Sequence, residues 1–393
     1  MIAYITGALP QWSETFIAQE LALLRAAGLP LLAIALGRGP GEAEGLGELH
    51  YLRPPPADAA TTASPSSERA TARWPRPLAR GRLRRWASLW RHRAERARLV
   101  ELLRTHGVRH VHAACADLPG LLAATAAREL GLGFSLSGHA ADVAASKYDD
   151  AALFGRAEFI CLCNQRARDE LLRRQPTLAP RVRLLHHGVR LGAWPFRPRP
   201  LSPAGQPLRV LFVGRLTARK RPELALAGVA ELARRGTPAH LELIGDGPAG
   251  AALELAARAL PAGATVTRHG FLPRAAVAAA MATADLLVVT SAELPGGDME
   301  GIPNVVVEAM ASGLPVAAGL TGGIPEVVTP ATGHPFAPED PAALAAVVAA
   351  LRADPAALAA RVQAARALIE REFDADALIA RKVAWLRATL TDA

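Results

Sequence analysis

The sequence predicts an α/β protein with two doubly wound parallel-sheet domains and a ligand cleft between them. Three observations predict it. Short apolar runs alternate with amphipathic segments from the first residues onward, as strands alternate with covering helices. A polar stretch punctuated by Pro195, Pro198, Pro200, Pro203 and Pro207 interrupts that rhythm near mid-chain. The rhythm then restarts, and 393 residues are ample for two cores. In such sheets ligands bind beyond the carboxyl ends of the strands, so the cleft is the expected site.

The first domain is expected over residues 1–195, with strands at 2–6, 31–36, 109–113, 134–137, 158–163 and 182–186. Each is a short apolar run bounded by turn residues. The opening Met-Ile-Ala-Tyr-Ile-Thr-Gly lacks a basic n-region and reads as a strand, not a signal peptide. Gly7 ends that strand, and Ser13 offers a capping hydroxyl to a helix over 13–27. Helices are also expected at 117–130 and 165–174. The second domain, over 205–372, repeats the scheme with strands at 209–213, 240–244, 265–269, 286–290 and 315–318, and helices at 222–234 and 303–311. The tail is helical in pattern from residue 356, with Phe373 and Trp385 as candidate anchors.

Residues 54–98 interrupt the first domain. The stretch 54–67 has the Pro/Ala/Ser/Thr composition of a loop. Further on, Leu83, Trp86, Trp90, Ala94 and Ala97 follow helical spacing among arginines. Two readings stay open for this helix. It lies on anionic lipid, Trp on one side and Arg on the other, or it docks its Trp face on the core and solvates its arginines.

The charge belongs to the same stretch. The chain carries Lys+Arg 45 against Asp+Glu 36, a formal net of +9. Between Arg73 and Arg98 stand ten arginines and one acid, Glu95, which leaves 35 basic and 35 acidic residues elsewhere. A neutral remainder argues against a nucleic-acid binder. A hydrophobic content of 51% excludes a largely disordered chain. Three cysteines, Cys115, Cys161 and Cys163, cannot build a disulfide framework and favour a reducing, cytoplasmic setting. No second cysteine pair completes a zinc site. No apolar run reads as a membrane span, the nearest (275–292) containing Asp285.

The strongest chemical signal is Asp298-Met-Glu-Gly-Ile-Pro-Asn-Val-Val-Val-Glu, running on to Gly313. It follows the strand at 286–290, so Glu300 and Gly301 fall in a loop at that strand's carboxyl end. Pro303 suits a first helical turn. The loop then presents the backbone N–H groups of Gly301, Ile302, Asn304 and Val305, and a helix start of this kind favours an anion such as a diphosphate. Glu300 in front of the helix and Glu308 two turns along it could grip hydroxyls at the two ends of a sugar nucleotide. A second string, Phe212-Val-Gly-Arg-Leu-Thr-Ala-Arg-Lys-Arg-Pro, starts at a strand end and opens into a helix. Gly214 permits a tight turn, and Arg215 and Lys220 can face one anion and stabilise charge on a leaving group. Gly245-Asp-Gly-Pro and Gly270-Phe-Leu-Pro are further strand-end turns. In the first domain His139 stands just beyond a strand, where it can donate to a sugar hydroxyl or a developing charge. His110, His112, His186 and His187 form no ligand-like group.

Together these residues resemble a retaining glycosyltransferase of family 4, with the GT-B fold of two Rossmann-like domains. The most specific part is the Glu-x7-Glu motif met by Glu300 and Glu308. Ser13-Glu-Thr-Phe, Ser137-Gly-His-Ala-Ala-Asp and Gly297-Asp-Met-Glu-Gly-Ile-Pro-Asn look like bacterial exopolysaccharide members of the colanic-acid type. The resemblance implies transfer of a hexose from a UDP- or GDP-sugar to a lipid-linked or oligosaccharide acceptor, with the donor in the second domain and the acceptor in the first. It implies that residues 373–393 cross back onto the first domain. It also implies that Glu300 contacts the donor sugar, Glu308 the ribose, and Phe271 and Leu272 the base. Arg215 and Lys220 would stabilise the departing diphosphate, and His139 would face the sugar near the reacting carbon. No cofactor or metal is expected, since cations and a helix start neutralise the diphosphate and no Asp-x-Asp lies near the site. The expected location is the cytoplasm or the inner face of the cytoplasmic membrane. After His187-Gly-Val the family usually has Asp, where Arg190 stands here. A nucleotide-sugar epimerase of related fold and a catalytically silent nucleotide-sugar binder are the competing readings. The Glu300/Glu308 spacing argues against the first, and the joint presence of His139, Glu300, Arg215 and Lys220 against the second.

Overall fold

The computed structural model describes residues 1–11, 15–41, 45–54, 78–144, 148–295 and 299–391. Ser13 and Glu14 of the expected first helix start, the expected loop from residue 55 on, and Gly297 and Asp298 lie outside the described residues. The chain divides into two compact units, Met1–His186 with Asp376–Ala393, and His187–Ala375.

The first unit is a seven-stranded sheet in the order β3-β2-β1-β4-β5-β6-β7. Its strands are β1 (Ile2–Leu9), β2 (Leu31–Arg38), β3 (His50–Tyr51), β4 (His110–Ala113), β5 (Gly133–Gly138), β6 (Ile160–Leu162) and β7 (Val182–Leu184). Every pairing is parallel. The chain winds outward from β1 to β3, then restarts at β4 on the other side of β1. Alternate residues of β1 feed opposite faces. Ala3 and Ile5 join one buried cluster, and Ile2 and Tyr4 the other. The helices are α1 (Thr15–Ala26), α2 (Leu78–Arg91), α3 (Arg93–Thr105), α4 (Leu118–Leu130), α5 (Ala140–Ala144), α6 (Asp150–Phe154) and α7 (Gln165–Arg174). Leu99 and Leu103 of α3 and Leu121 and Leu122 of α4 cover the first face. Ile17, Leu21 and Leu24 of α1 cover the second.

Two expectations change here. β1 runs past Gly7, because Ala8 and Leu9 pair with Gly37 and Arg38 of an equally long β2. Gly7 therefore lies inside the strand and does not end it. The reading in which the tryptophans dock on the core also fails. Leu83, Trp86 and Trp90 are 70%, 66% and 72% exposed, and α2 is held instead by Leu89 against the core.

The second unit is a six-stranded parallel sheet in the order β10-β9-β8-β11-β12-β13. Its strands are β8 (Leu208–Val213), β9 (Ala239–Ile244), β10 (Ala264–Gly270), β11 (Leu286–Val289), β12 (Val316–Ala318) and β13 (His334–Pro335). The helices are α8 (Pro222–Arg234), α9 (Gly250–Ala257), α10 (Arg274–Thr283), α11 (Asn304–Ser312), α12 (Pro341–Ala353) and α13 (Pro355–Glu372). Leu211 and Leu287 point into one cluster, and Val210, Phe212 and Val288 into the other. The Asp354 side chain accepts from the Ala357 N–H and Pro355 follows it, so α13 starts anew, bent 104° from α12. Among the described residues no single helix is long and apolar enough to cross a membrane.

The unit boundary falls at His186/His187, earlier than the prolines suggest. Trp194 is buried in the core of the second unit. The Val189 N–H donates to the Phe373 carbonyl at 2.9 Å, and the Ala375 N–H donates back to the Val189 carbonyl at 3.1 Å. Phe373 is thus an anchor of the second unit, and only the last helix, α14 (Ala375–Thr391), returns to the first. There Leu378, Val383 and Leu386 join the cluster of Tyr4 and Leu21. Lys382 is fully buried, its Nζ 2.5 Å from Glu20 Oε1 and 3.0 Å from Ser137 Oγ. Tyr4 donates to the same Glu20 oxygen at 2.8 Å. Trp385 is flanked by the Arg183 and Arg381 guanidinium groups, 4.7 and 5.6 Å from its ring centre.

Candidate functional site

The motif residues of the second unit gather at the carboxyl edge of its sheet. Gly214 follows β8, and its N–H donates to the Ile244 carbonyl at the end of β9 at 3.0 Å. The Gly245 N–H donates to the Gly270 carbonyl at the end of β10 at 2.7 Å. Three strand-end turns are thereby tied together. Gly245 has φ +129, and a Cβ there would run into the Gly214 carbonyl oxygen, so glycine is required. Phe271 and Leu272 follow the last of these turns, Phe271 47% exposed and Leu272 packed against the core.

The loop from β8 to α8 carries the cations. Arg221, at its end, has φ +49, the one non-glycine positive φ among the described residues, at a cost of about 1–2 kcal/mol. Thr290, just after β11, steadies this loop, its Oγ1 lying 2.8 and 2.9 Å from the Lys220 and Arg221 carbonyl oxygens. Lys220 is thereby directed inward, with Nζ 2.7 Å from Glu300 Oε2. Arg215 is exposed. Arg219 binds the loop that carries Glu300 by donating to the Met299 carbonyl at 2.9 Å.

Glu300 is buried at the end of β11, in front of α11. Burial alone would raise its carboxyl, but Lys220 and Arg219, with hydrogen bonds from Lys220 and Ser291 (Oγ at 3.2 Å), outweigh burial and hold it below the ordinary glutamate value. Its backbone is gripped as well. The Gly323 N–H donates to the Glu300 carbonyl at 3.2 Å, and Gly322 (φ +56) leaves no room for a Cβ against that same oxygen. Gly301 and Ile302 lead to Pro303, which occupies the cap position of α11. The helix begins at Asn304, so the Asn304 and Val305 N–H groups have no intrahelical acceptor. Glu308 lies on the same helix, and Arg274 of α10 reaches its Oε1 at 3.4 Å. Burial outweighs Arg274 and raises the Glu308 carboxyl. Two glutamates one motif apart are thus pushed in opposite directions.

A cavity of about 130 Å³ opens elsewhere in this unit, beside Trp194, Arg197, Met281 and Leu314. Of the string that runs to Gly313 only Ser312 and Gly313 line it, and none of Arg215, Lys220, Glu300 and Glu308 does. His139 and Gly7 belong to the other unit. His139 directly follows β5, and its Nδ1 and its backbone N–H both reach Asp142 Oδ2 at 3.1 Å, which also accepts from the Ala116 N–H at 3.1 Å. Burial raises the Asp142 carboxyl, yet His139 and these N–H donors keep it below its ordinary value. Phe16 packs edge-on against the ring, centroids 5.2 Å apart. His110 and His112 are buried partners of Ser135 at 2.7 and 2.8 Å, and burial pushes His110 down to about 4. Ser291, Thr290, Arg219, Arg274 and Gly322 escaped sequence reasoning. Arg219 stood inside the quoted string without distinction, and the others are common residue types whose role only the packing reveals.

Residues 196–368 match the family model of glycosyl transferases group 1. That match lies within the second unit. The matched span contains the Glu300/Glu308 helix and the Lys220 loop described above. The chain is 35% identical over 170 residues to the amylovoran biosynthesis glycosyltransferase AmsK of Erwinia amylovora, 43% of this chain and 42% of AmsK. It is also 35% identical over 133 residues to WcaL of Escherichia coli K12, a glycosyltransferase assigned to colanic acid biosynthesis, 34% of this chain and 33% of WcaL. The chain thus spans well under half the length of these two relatives. Among solved structures it is similar to Anabaena Alr3699/HepE in complex with UDP, at TM-score 0.72 and 17% identity, over 99% of this chain and 100% of that one. That likeness is one of fold, and the fold is GT-B. The resemblance to bacterial exopolysaccharide glycosyltransferases drawn from the motifs stands.

Proposed function

We propose that the chain is a retaining glycosyltransferase that moves a hexose from a UDP- or GDP-sugar to a lipid-linked or oligosaccharide acceptor in bacterial polysaccharide biosynthesis. The observation that carries this reading is the buried Glu300–Lys220 pair set before the start of α11 within the span that matches group 1 glycosyl transferases. The N–H groups of Asn304 and Val305, with Arg215 and Lys220, receive the diphosphate. An ammonium has three donors, so Lys220 can hold Glu300 and a phosphate oxygen together. Glu300, kept ionised, accepts from the donor-sugar hydroxyls. Glu308 accepts from the ribose, and the exposed Phe271 ring, beside Leu272, stacks on the base. His139, oriented by Asp142, contacts the donor sugar near its anomeric carbon.

In the proposed step the bond from the anomeric carbon to the phosphate oxygen breaks as the acceptor oxygen bonds to that carbon on the same face. The acceptor proton passes to the departing phosphate oxygen. Charge gathers on the diphosphate, where two cations and a helix start lower its energy, so no metal is needed in this scheme. AmsK and WcaL are named for exopolysaccharide biosynthesis, and HepE was solved with UDP, which favours a nucleotide sugar as the donor. The test is release of UDP or GDP from a panel of nucleotide sugars with membrane extract as acceptor, followed by assignment of the product anomer. Turnover with a retained anomer is expected. Tight nucleotide binding with no turnover on any donor would leave a silent binder, and an inverted product would refute the same-face step.

A further inference from the structure

The site above makes no use of the outward face of α2. Leu83, Trp86, Ala87 and Trp90 are exposed there, and Ala94 and Ala97 are exposed on α3. Counted from Leu83 these fall at i+3, i+4, i+7, i+11 and i+14, a single stripe on a helix. Helical hydrogen bonds carry the stripe across the break at His92: its N–H donates to the Ser88 carbonyl at 2.9 Å, and the Arg96 N–H donates to the His92 carbonyl at 3.0 Å. The other side of α2 is fastened. Leu89 packs on the core, Tyr148 donates to Ser88 Oγ at 3.2 Å, and Arg85 pairs with Asp149 at 3.3 Å. The stripe is therefore held toward solvent by a docked helix.

Its borders are cationic. Arg84, Arg91, Arg93 and Arg98 are exposed, and the Arg93 guanidinium lies 5.1 Å over the Trp90 ring. The one acid between Leu83 and Arg98, Glu95, is engaged by Arg53 at 2.9 Å and His92 at 3.2 Å.

We propose that this face of α2 and α3 docks on an anionic lipid surface, with Trp86 and Trp90 in the interfacial layer and the bordering arginines on lipid phosphates. Tryptophan favours the boundary between headgroups and acyl chains, and an apolar stripe edged by arginine lies in that plane. Anionic lipid supplies the charge that the edge lacks. A second copy of the same face would set arginine against arginine. The inference does not depend on the glycosyl-transfer reading.

The experiment is sedimentation of the full chain with vesicles of phosphatidylcholine alone and of phosphatidylcholine mixed with phosphatidylglycerol. Binding to the mixed vesicles, weakened by salt and accompanied by a blue shift of tryptophan emission, is expected. Arg84→Gln with Arg91→Gln should weaken it about thirtyfold, since each charge near the surface is worth about fivefold. Trp86→Ala with Trp90→Ala should weaken it at least about tenfold. Both variants should keep the parent circular dichroism and melting temperature, because these side chains are exposed. No binding to mixed vesicles, or equal binding to both kinds, overturns the proposal. So does undiminished binding by the tryptophan variant. A dimer that this variant dissolves, without vesicle binding by the parent, would assign the face to self-association instead.

Discussion

Glu300 and Glu308 share a motif and differ in environment, and the difference makes them separable by mutation. Lys220, Arg219 and Ser291 hold Glu300 in its charged form against burial, whereas burial wins at Glu308. Glu300→Gln should lower kcat roughly a hundredfold or more, with nucleoside diphosphate affinity changed less than about threefold. A parallel collapse of affinity, measured by calorimetry, would remove Glu300 from the sugar. Glu308→Gln should weaken nucleotide binding about tenfold to a hundredfold. Stability should move oppositely in the two variants. The Glu300 carboxyl is depressed in the fold, so its contribution is present above the unfolded value near 4.5 and is lost as pH falls through the folded value. The Glu308 carboxyl is raised, so the fold binds the extra proton and loses stability as pH rises from near 4.5 through the folded value. At neutral pH, denaturant melts should therefore find Glu300→Gln destabilised and Glu308→Gln as stable as the parent or more so. The pair of acids was legible in the string. Their opposite characters were not, because they depend on Lys220, Ser291 and Arg274, brought near from other elements.

Among the elements, β1, β2 and β4 to β12 fall where the sequence places strands, most of them on runs of apolar residues that a buried parallel sheet demands. The edge strands β3 and β13 do not, because two residues such as His334 and Pro335 become a strand only by pairing with Ala317 and Ala318. α11 was legible from Pro303 and the residues that follow, and α2 from its spacing. Which way α2 faces was not legible, since the same stripe suits a core or a lipid surface. The last helix shows how a single polar contact ties an element down. Lys382→Met should destabilise the first unit by about 3 kcal/mol, because Glu20 and Tyr4 lose the ammonium around which they are arranged. Urea melts followed by far-ultraviolet circular dichroism would read this. A change below about 0.5 kcal/mol would mean that apolar packing of Leu378, Val383 and Leu386 alone secures the helix.

For the whole molecule, two separate pairs of buried clusters imply that a single unfolding transition need not describe the chain. Ligand effects should accordingly be local. Saturating UDP or GDP, whichever the donor carries, should slow amide exchange chiefly over residues 214–222 and 300–308. At a hundred times Kd the stabilisation should reach about 2.7 kcal/mol. Slowing confined to the first unit would move the donor away from Glu300. The two-sheet plan was legible because the strand–helix rhythm halts at the prolines and resumes. The division point was not, because Trp194 and Val189 join the second core by contacts that no local pattern announces. The return of α14 to the first unit has a consequence for synthesis. That unit is assembled from segments on both sides of the second, so while the ribosome is still making the second unit, the face of Tyr4, Phe159 and Cys161 has α1 but lacks α14. The nascent first unit must wait, with an apolar face open to chaperones or to misplaced partners, until Leu386 has left the exit tunnel.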